Sequence, residues 1–128
     1  MDKNANALNW FEIPATDINR AKTFYSKVMN ADMGEVQDNM GMKMSYFPSE
    51  MGNGRVSGSL VESANHKPST DGAVIYLNAN PDIQTVIDRI APAGGTVVVP
   101  KMEISPEIGC MAFFIDSEGN KVGLHAQN

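Results

Sequence analysis

The sequence predicts an α+β domain built from two βαβββ modules that together form a curved mixed sheet. Three observations carry this. A strand-like run near the N-terminus leads into a capped amphipathic helix, the same pairing recurs past mid-chain, and several strand-like runs follow each helix. The helix-opening pair Asp17-Ile18 returns as Asp82-Ile83, about half the 128-residue chain later, which points to internal duplication. One helix cannot cover both faces of its own sheet. Two modules together can place their helices outside and leave a cup inside.

The elements follow in order. Leu8 to Pro14 reads as a strand, with Trp10 and Glu12 on one face and Phe11 and Ile13 on the other; Pro14 ends it. Thr16 or Asp17 is the expected N-cap of a helix through Met29, whose apolar stripe is Ile18, Ala21, Tyr25 and Val28, widened by Phe24 and Met29. Strand signals follow at Glu35 to Gln37, Met42 to Phe47 and Val56 to Glu62, separated by glycine- and asparagine-bearing turns. The first module therefore spans about 7–62, a polar linker 63–72, and the second module about 73–127 of a single domain 1–128. In the second module Ala73 to Asn78 is a strand. Pro81-Asp82-Ile83 opens a helix through Ile90, and Pro92 with Gly94-Gly95 stops it. Strands at Thr96 to Val99, Met111 to Ile115 and Lys121 to His125 complete the pattern, the last two joined by a turn over Asp116 to Asn120.

The composition excludes several classes. A net charge of −5 with ten scattered basic residues is unsuited to nucleic acid, which needs clustered Lys and Arg. No run approaches the ~20 apolar residues of a membrane span, and the first residues lack the charged-then-apolar order of a secretory signal. The single Cys110 cannot form an internal disulfide. Together these features lead to the expectation of a cytoplasmic protein with no membrane or nucleic-acid partner. Cys110 is expected to be a buried thiol, and His66 to be solvated in the linker.

Phe11-Glu12-Ile13-Pro14, then Asp17 and Arg20 to Tyr25, resembles the opening of the vicinal oxygen chelate superfamily (glyoxalase, bleomycin resistance protein, dioxygenase). Ala112 to Leu124 resembles that superfamily's closing hairpin, with Asp116-Ser117-Glu118-Gly119 at its turn. The resemblance implies paired βαβββ modules, often a homodimer, and a small-molecule site in the cup. Metal-dependent members hold one divalent cation through His and Glu donors from four strands. Those positions fall on Trp10, Gly58, Val74 and Gly123 here, and none of the four has a metal-binding side chain. The usual metal is therefore expected to be absent, with no other cofactor implied.

Function is argued from the cup. Trp10, Tyr46, Gly58, Val74, Tyr76 and Gly123 are the expected ligand-binding positions: aromatic side chains with hydroxyl handles, and glycines that leave room. Some of Met42, Met44, Tyr46 and Phe47 are expected to line the pocket as well, while most of the nine methionines are expected to fill core gaps. Glu12 and His125 are the candidate catalytic pair, because a carboxylate can orient an imidazole that titrates near neutrality; a structural hydrogen bond and a frayed strand end are the plain alternatives. Three readings result. They are a metal-independent protein binding a small, partly apolar molecule, a glyoxalase-related lyase or isomerase using Glu12 and His125, and a non-catalytic structural or regulatory partner marked by a filled cup.

Overall fold

The computed structural model describes residues 1–50 and 52–128. In chain order the elements are β1 (Trp10–Pro14), α1 (Ile18–Val28), β2 (Gln37–Asn39), β3 (Met42–Tyr46) and β4 (Ser57–Glu62), then β5 (Tyr76–Asn78), α2 (Ile83–Ile87), α3 (Ile90–Ala93), β6 (Thr96–Ser105), β7 (Gly109–Ile115) and β8 (Lys121–Ala126). Strand pairing runs within each half, so the curved sheet is built as two four-stranded mixed sheets, ordered β1-β4-β3-β2 and β5-β8-β7-β6. In each half the first strand pairs in parallel with the last, β1 with β4 and β5 with β8, and the remaining pairs are antiparallel. The two halves repeat one topology, as the duplicated sequence pattern predicts.

Helix α1 is buried along the predicted stripe. Ile18, Ala21, Phe24, Tyr25 and Val28 are inaccessible to solvent, and Phe24 and Tyr25 reach across to Phe114 of the second half. Full burial of an aromatic side chain of this size contributes about 2–3 kcal/mol. A single apolar cluster gathers Ile13, Leu60 and the α1 stripe from the first half with Leu77, Ile83, Ile90 and Leu124 from the second.

Several element bounds differ from expectation for local reasons. The helix expected through Ile90 divides into α2 and α3, because Pro92 has no N–H to donate to Asp88 and its ring crowds that carbonyl. Gly94, in the left-handed conformation at φ 104°, then caps α3. The second strand shifts from Glu35–Gln37 to β2: Met40 and Gly41, both at positive φ, form a two-residue hairpin loop that pairs Asn39 with Met42. Strand β6 runs on to Ser105 instead of stopping at Val99. Pro100 lies at an irregularity between Val99 and Met102 on an edge strand, where a missing N–H is tolerated. Strand β5 is shorter than Ala73–Asn78, so Val74 lies before it, exposed. Strand β4 begins at Ser57 and not Val56, and β7 begins at Gly109. No helix is long and apolar enough to cross a membrane among the described residues.

Candidate functional site

The register divides each sheet into a core face and an outer face. On β1, Phe11 and Ile13 turn toward the core while Trp10 and Glu12 turn outward. Parallel pairing sets Trp10 opposite Ser57 and Glu12 opposite Ser59, and antiparallel pairing sets Tyr46 opposite Ser59. The outer face of the first sheet therefore carries Trp10, Glu12, Tyr46, Ser57 and Ser59. Trp10 and Tyr46 meet edge to face at 5.8 Å, with Trp10 about two-fifths exposed.

Gly58 is corrected by the same register. It stands opposite Phe11, and a Cβ there would lie 2.6 Å from the Phe11 ring, so Gly58 faces the core side. A side chain is missing at Gly58 to make room for Phe11. The sequence could not show this, because one residue of register inverts a strand's faces.

The second sheet keeps the expected arrangement. Tyr76 pairs with Gly123 and Asn78 with His125, all on the outer face. A Cβ on Gly123 would come 2.6 Å from the Tyr76 ring, so the glycine lets the tyrosine lie flat over β8. Tyr76 is half exposed and packs against Phe113 at 5.5 Å, while Lys121 Nζ sits 4.9 Å over the Phe113 ring. Asn78, His125, Tyr76 and Ile104 border a cleft of about 370 Å³.

Glu12 and His125 do not join. His125 Nε2 lies 2.7 Å from the Ile108 carbonyl oxygen, within β8 and not at a frayed end. Glu12 Oε1 lies 2.9 Å from Nε2 of His66, whose Nδ1 lies 2.7 Å from Ser63 Oγ. His66, expected to be solvated, is thus the partner of Glu12. The signal was present but faint: Ser63 and His66 bridge across a tight turn, and the Ser63 hydroxyl also accepts from the Asn65 N–H. Cys110 is buried, as expected.

A second polar cluster ties the two halves together. Asp116 accepts from the Tyr25 hydroxyl at 2.6 Å, from Asn120 Nδ2 at 3.0 Å and from the Glu118 and Asn120 N–H groups at 2.9 Å. Burial, and after it the Asp116 carboxylate, pushes the Tyr25 hydroxyl well above its ordinary range, so it remains a proton donor. Glu118 accepts from the Thr16 and Asp17 N–H groups and takes a bidentate pair from Arg20. Glu62 accepts from the Ile18 N–H, and Asp17 from those of Asn19 and Arg20. Every N–H entering α1 is thereby satisfied. Burial opposes ionisation of Glu118, but its hydrogen bonds from Arg20, Asp17 and Ser117 outweigh this and hold the carboxyl below its usual range. This cluster is architectural.

The fit of a divalent metal can be tested on donor chemistry. Trp10, Val74 and Gly123 offer no oxygen or nitrogen ligand, and the β4 residues on the outer face are the neutral hydroxyls Ser57 and Ser59. Among the described residues no three of His, Cys, Asp and Glu converge as a ligand set. Magnesium-like cations favour carboxylates and zinc-like cations favour imidazoles as well, both over neutral hydroxyls, so this set does not fit a divalent metal.

Two βαβββ modules with helices on the core side and open outer sheet faces define the glyoxalase-type class of fold. The family model described as Glyoxalase/Bleomycin resistance protein/Dioxygenase superfamily matches residues 7–124, and the chain belongs to that superfamily. It is 28% identical over 115 residues to a glyoxylase-like domain-containing protein of Didymella fabae, covering 88% of each chain. It is 27% identical over 124 residues to CFP32 of Mycobacterium bovis, a provisionally named glyoxylase, covering 94% of this chain and 45% of that protein. The chain thus spans about half the length of that relative. In fold it resembles TnmS3, an antibiotic binding protein from Streptomyces sp. CB03234, with TM-score 0.69 and 22% identity over 99% of this chain and all of that one. It also resembles a glyoxalase/bleomycin resistance protein from Albidiferax ferrireducens, with TM-score 0.72 and 16% identity over 96% of this chain and all of that one.

Proposed function

We propose that this chain binds a small, partly apolar molecule against the outer sheet faces without the divalent metal of its catalytic relatives. The observation that carries the reading is the pair of aromatic contacts on the outer faces, Trp10 with Tyr46 and Tyr76 with Phe113, beside a donor set poorly suited to a divalent cation. Aromatic walls with a few polar handles are how small-molecule sites are generally lined. The antibiotic-binding role of a protein of similar fold supports binding over turnover. The deciding measurement is metal content after equilibration with Ni, Zn, Mn or Fe. Binding below one-tenth of an equivalent is expected, and a stoichiometric ion held by outer-face residues would overturn the reading.

The cup is completed, in this proposal, by a second copy of the chain. Val98, Met102, Ile104 and Ile108, on β6 and the turn after it, are each about half exposed and supply apolar surface for a homodimer contact. Light scattering should give twice the chain mass, and Ile104→Asp should halve it. A monomer at micromolar concentration would remove this element.

A second reading, acid–base lyase or isomerase chemistry, is favoured by the Glu12–His66 hydrogen bond, with His66 in the role first given to His125. It requires that Glu12→Ala and His66→Ala each abolish turnover while ligand binding persists.

A further inference from the structure

We infer that the outer face of the first sheet holds a subsite for a protonated amine carried on an aromatic or apolar body. This rests on the ligand-binding reading above and names the class of ligand. Glu12, Ser59 and Tyr46 stand side by side on β1, β4 and β3, joined in register as Glu12 opposite Ser59 and Ser59 opposite Tyr46. Residues directly opposite on neighbouring strands have Cβ atoms roughly 5 Å apart, so the three side chains leave the sheet side by side on one face. Trp10 lies two residues before Glu12 on the same face, its ring partly exposed beside Tyr46.

Two features of the row are unexplained by folding. The Ser59 hydroxyl is completely buried yet has no hydrogen-bond partner among the described residues, which is uncommon for a buried polar atom. The Glu12 carboxylate is held through Oε1 by His66, itself held by Ser63, while Oε2 makes no hydrogen bond among the described residues. His66 and Ser63 are thus positioning residues that fix a carboxylate whose second oxygen remains available.

The surrounding charges sharpen the choice of ligand. Lys67, Lys121 and Asp71 line the cleft beside Glu12, but neither lysine is within ion-pair distance of it. Lys43 pairs instead with Glu62, and Lys121 sits over Phe113. Among the described residues His66 is the one close partner of Glu12. An ammonium brings three donors to this row of acceptors and is attracted to the face of an indole. An alcohol brings one donor, and a carboxylate ligand would face Glu12 as a like charge.

The chain has one tryptophan, so Trp10 emission reports directly on this face. The test compares 2-phenylethylamine, 2-phenylethanol and 3-phenylpropionate at pH 7, following Trp10 emission and calorimetric heat. The amine should bind at least ten-fold more tightly than the alcohol, and the carboxylate should bind weakest. Glu12→Gln should bring the amine's advantage over the alcohol below two-fold, with circular dichroism confirming the fold. Ser59→Ala and His66→Gln should each reduce the amine preference partway. Equal binding of amine and alcohol, or a preference that survives Glu12→Gln, overturns the subsite and leaves the ligand-binding reading standing. If none of the three compounds changes Trp10 emission or releases heat, both fall together.

Discussion

The turn from Asp116 to Asn120 and the outer face around Glu12 are both rich in polar groups, and they treat them in opposite ways. At the turn each oxygen of Asp116 takes two donors, Glu118 takes two backbone N–H groups and a bidentate arginine, and Asn120 reaches the Pro14 carbonyl. On the outer face one carboxylate oxygen and one buried hydroxyl have no hydrogen-bond partner among the described residues. Polar groups saturated by their own chain hold the fold together. Polar groups left with spare capacity at or just beneath a sheet face are the candidates for meeting something else. This difference separates architecture from candidate function where residue type alone does not, since both regions contain a glutamate, a tyrosine and a basic partner.

Four substitutions test that separation, the largest effect first. Asp116→Ala removes the acceptor of the Tyr25 hydroxyl and of three N–H donors, leaving them buried and unpaired. It should lower stability by about 3 kcal/mol or more in urea denaturation. A loss under about 1 kcal/mol would show that the turn is not the clamp described here. Glu118→Gln should cost about 1–2 kcal/mol, since Arg20 is half exposed and its pair is screened. It should also change the acid response. The folded carboxyl is held low, so its contribution is complete above the ordinary value of 4.5 and fades as pH falls through the folded value. The wild-type chain should therefore lose stability more steeply than Glu118→Gln as pH drops below 4.5, and parallel curves would count against the assignment.

The remaining two substitutions address the open face. Gly123→Ala pushes a Cβ against the Tyr76 ring, which is half exposed and can swing aside. A cost of about 1 kcal/mol is expected, together with altered ligand affinity. Tyr76→Ala should change stability by no more than about 1 kcal/mol, yet weaken ligand binding at least ten-fold if the outer aromatics form the site. A large stability loss with unchanged binding would reverse the comparison.

The repeated topology was legible in the sequence because it rests on strong local signals. Asp17 and Asp82 do cap the helices, the α1 stripe is buried as its spacing requires, and the Asp116–Asn120 turn joins β7 to β8. The outward placement of Trp10, Glu12, Tyr76, Gly123 and His125 also follows from alternation along a strand. Gly58 was misplaced because register between strands is set by pairing that no local pattern displays. Glu12 and His125 share a residue chemistry but lie on different sheets, and His66 meets Glu12 only because the Ser63 turn folds back. Pro92 and Pro100 have opposite outcomes for the same reason: a missing N–H breaks a helix but is harmless on a sheet's edge. Which position Pro100 occupies depends on tertiary neighbours.

That edge has a further consequence. Strand β6 is ten residues long with one side unpaired, and it displays Val98, Met102 and Ile104, a combination that invites another chain to add on strand by strand. Pro100 breaks the row of donors midway, the irregular register twists the backbone there, and Lys101 and Glu103 place charges beside the break. An incoming strand cannot find an unbroken ladder. Copies brought together at β6 would meet through side chains and not by adding strand to strand, which protects the strand from seeding a fibre.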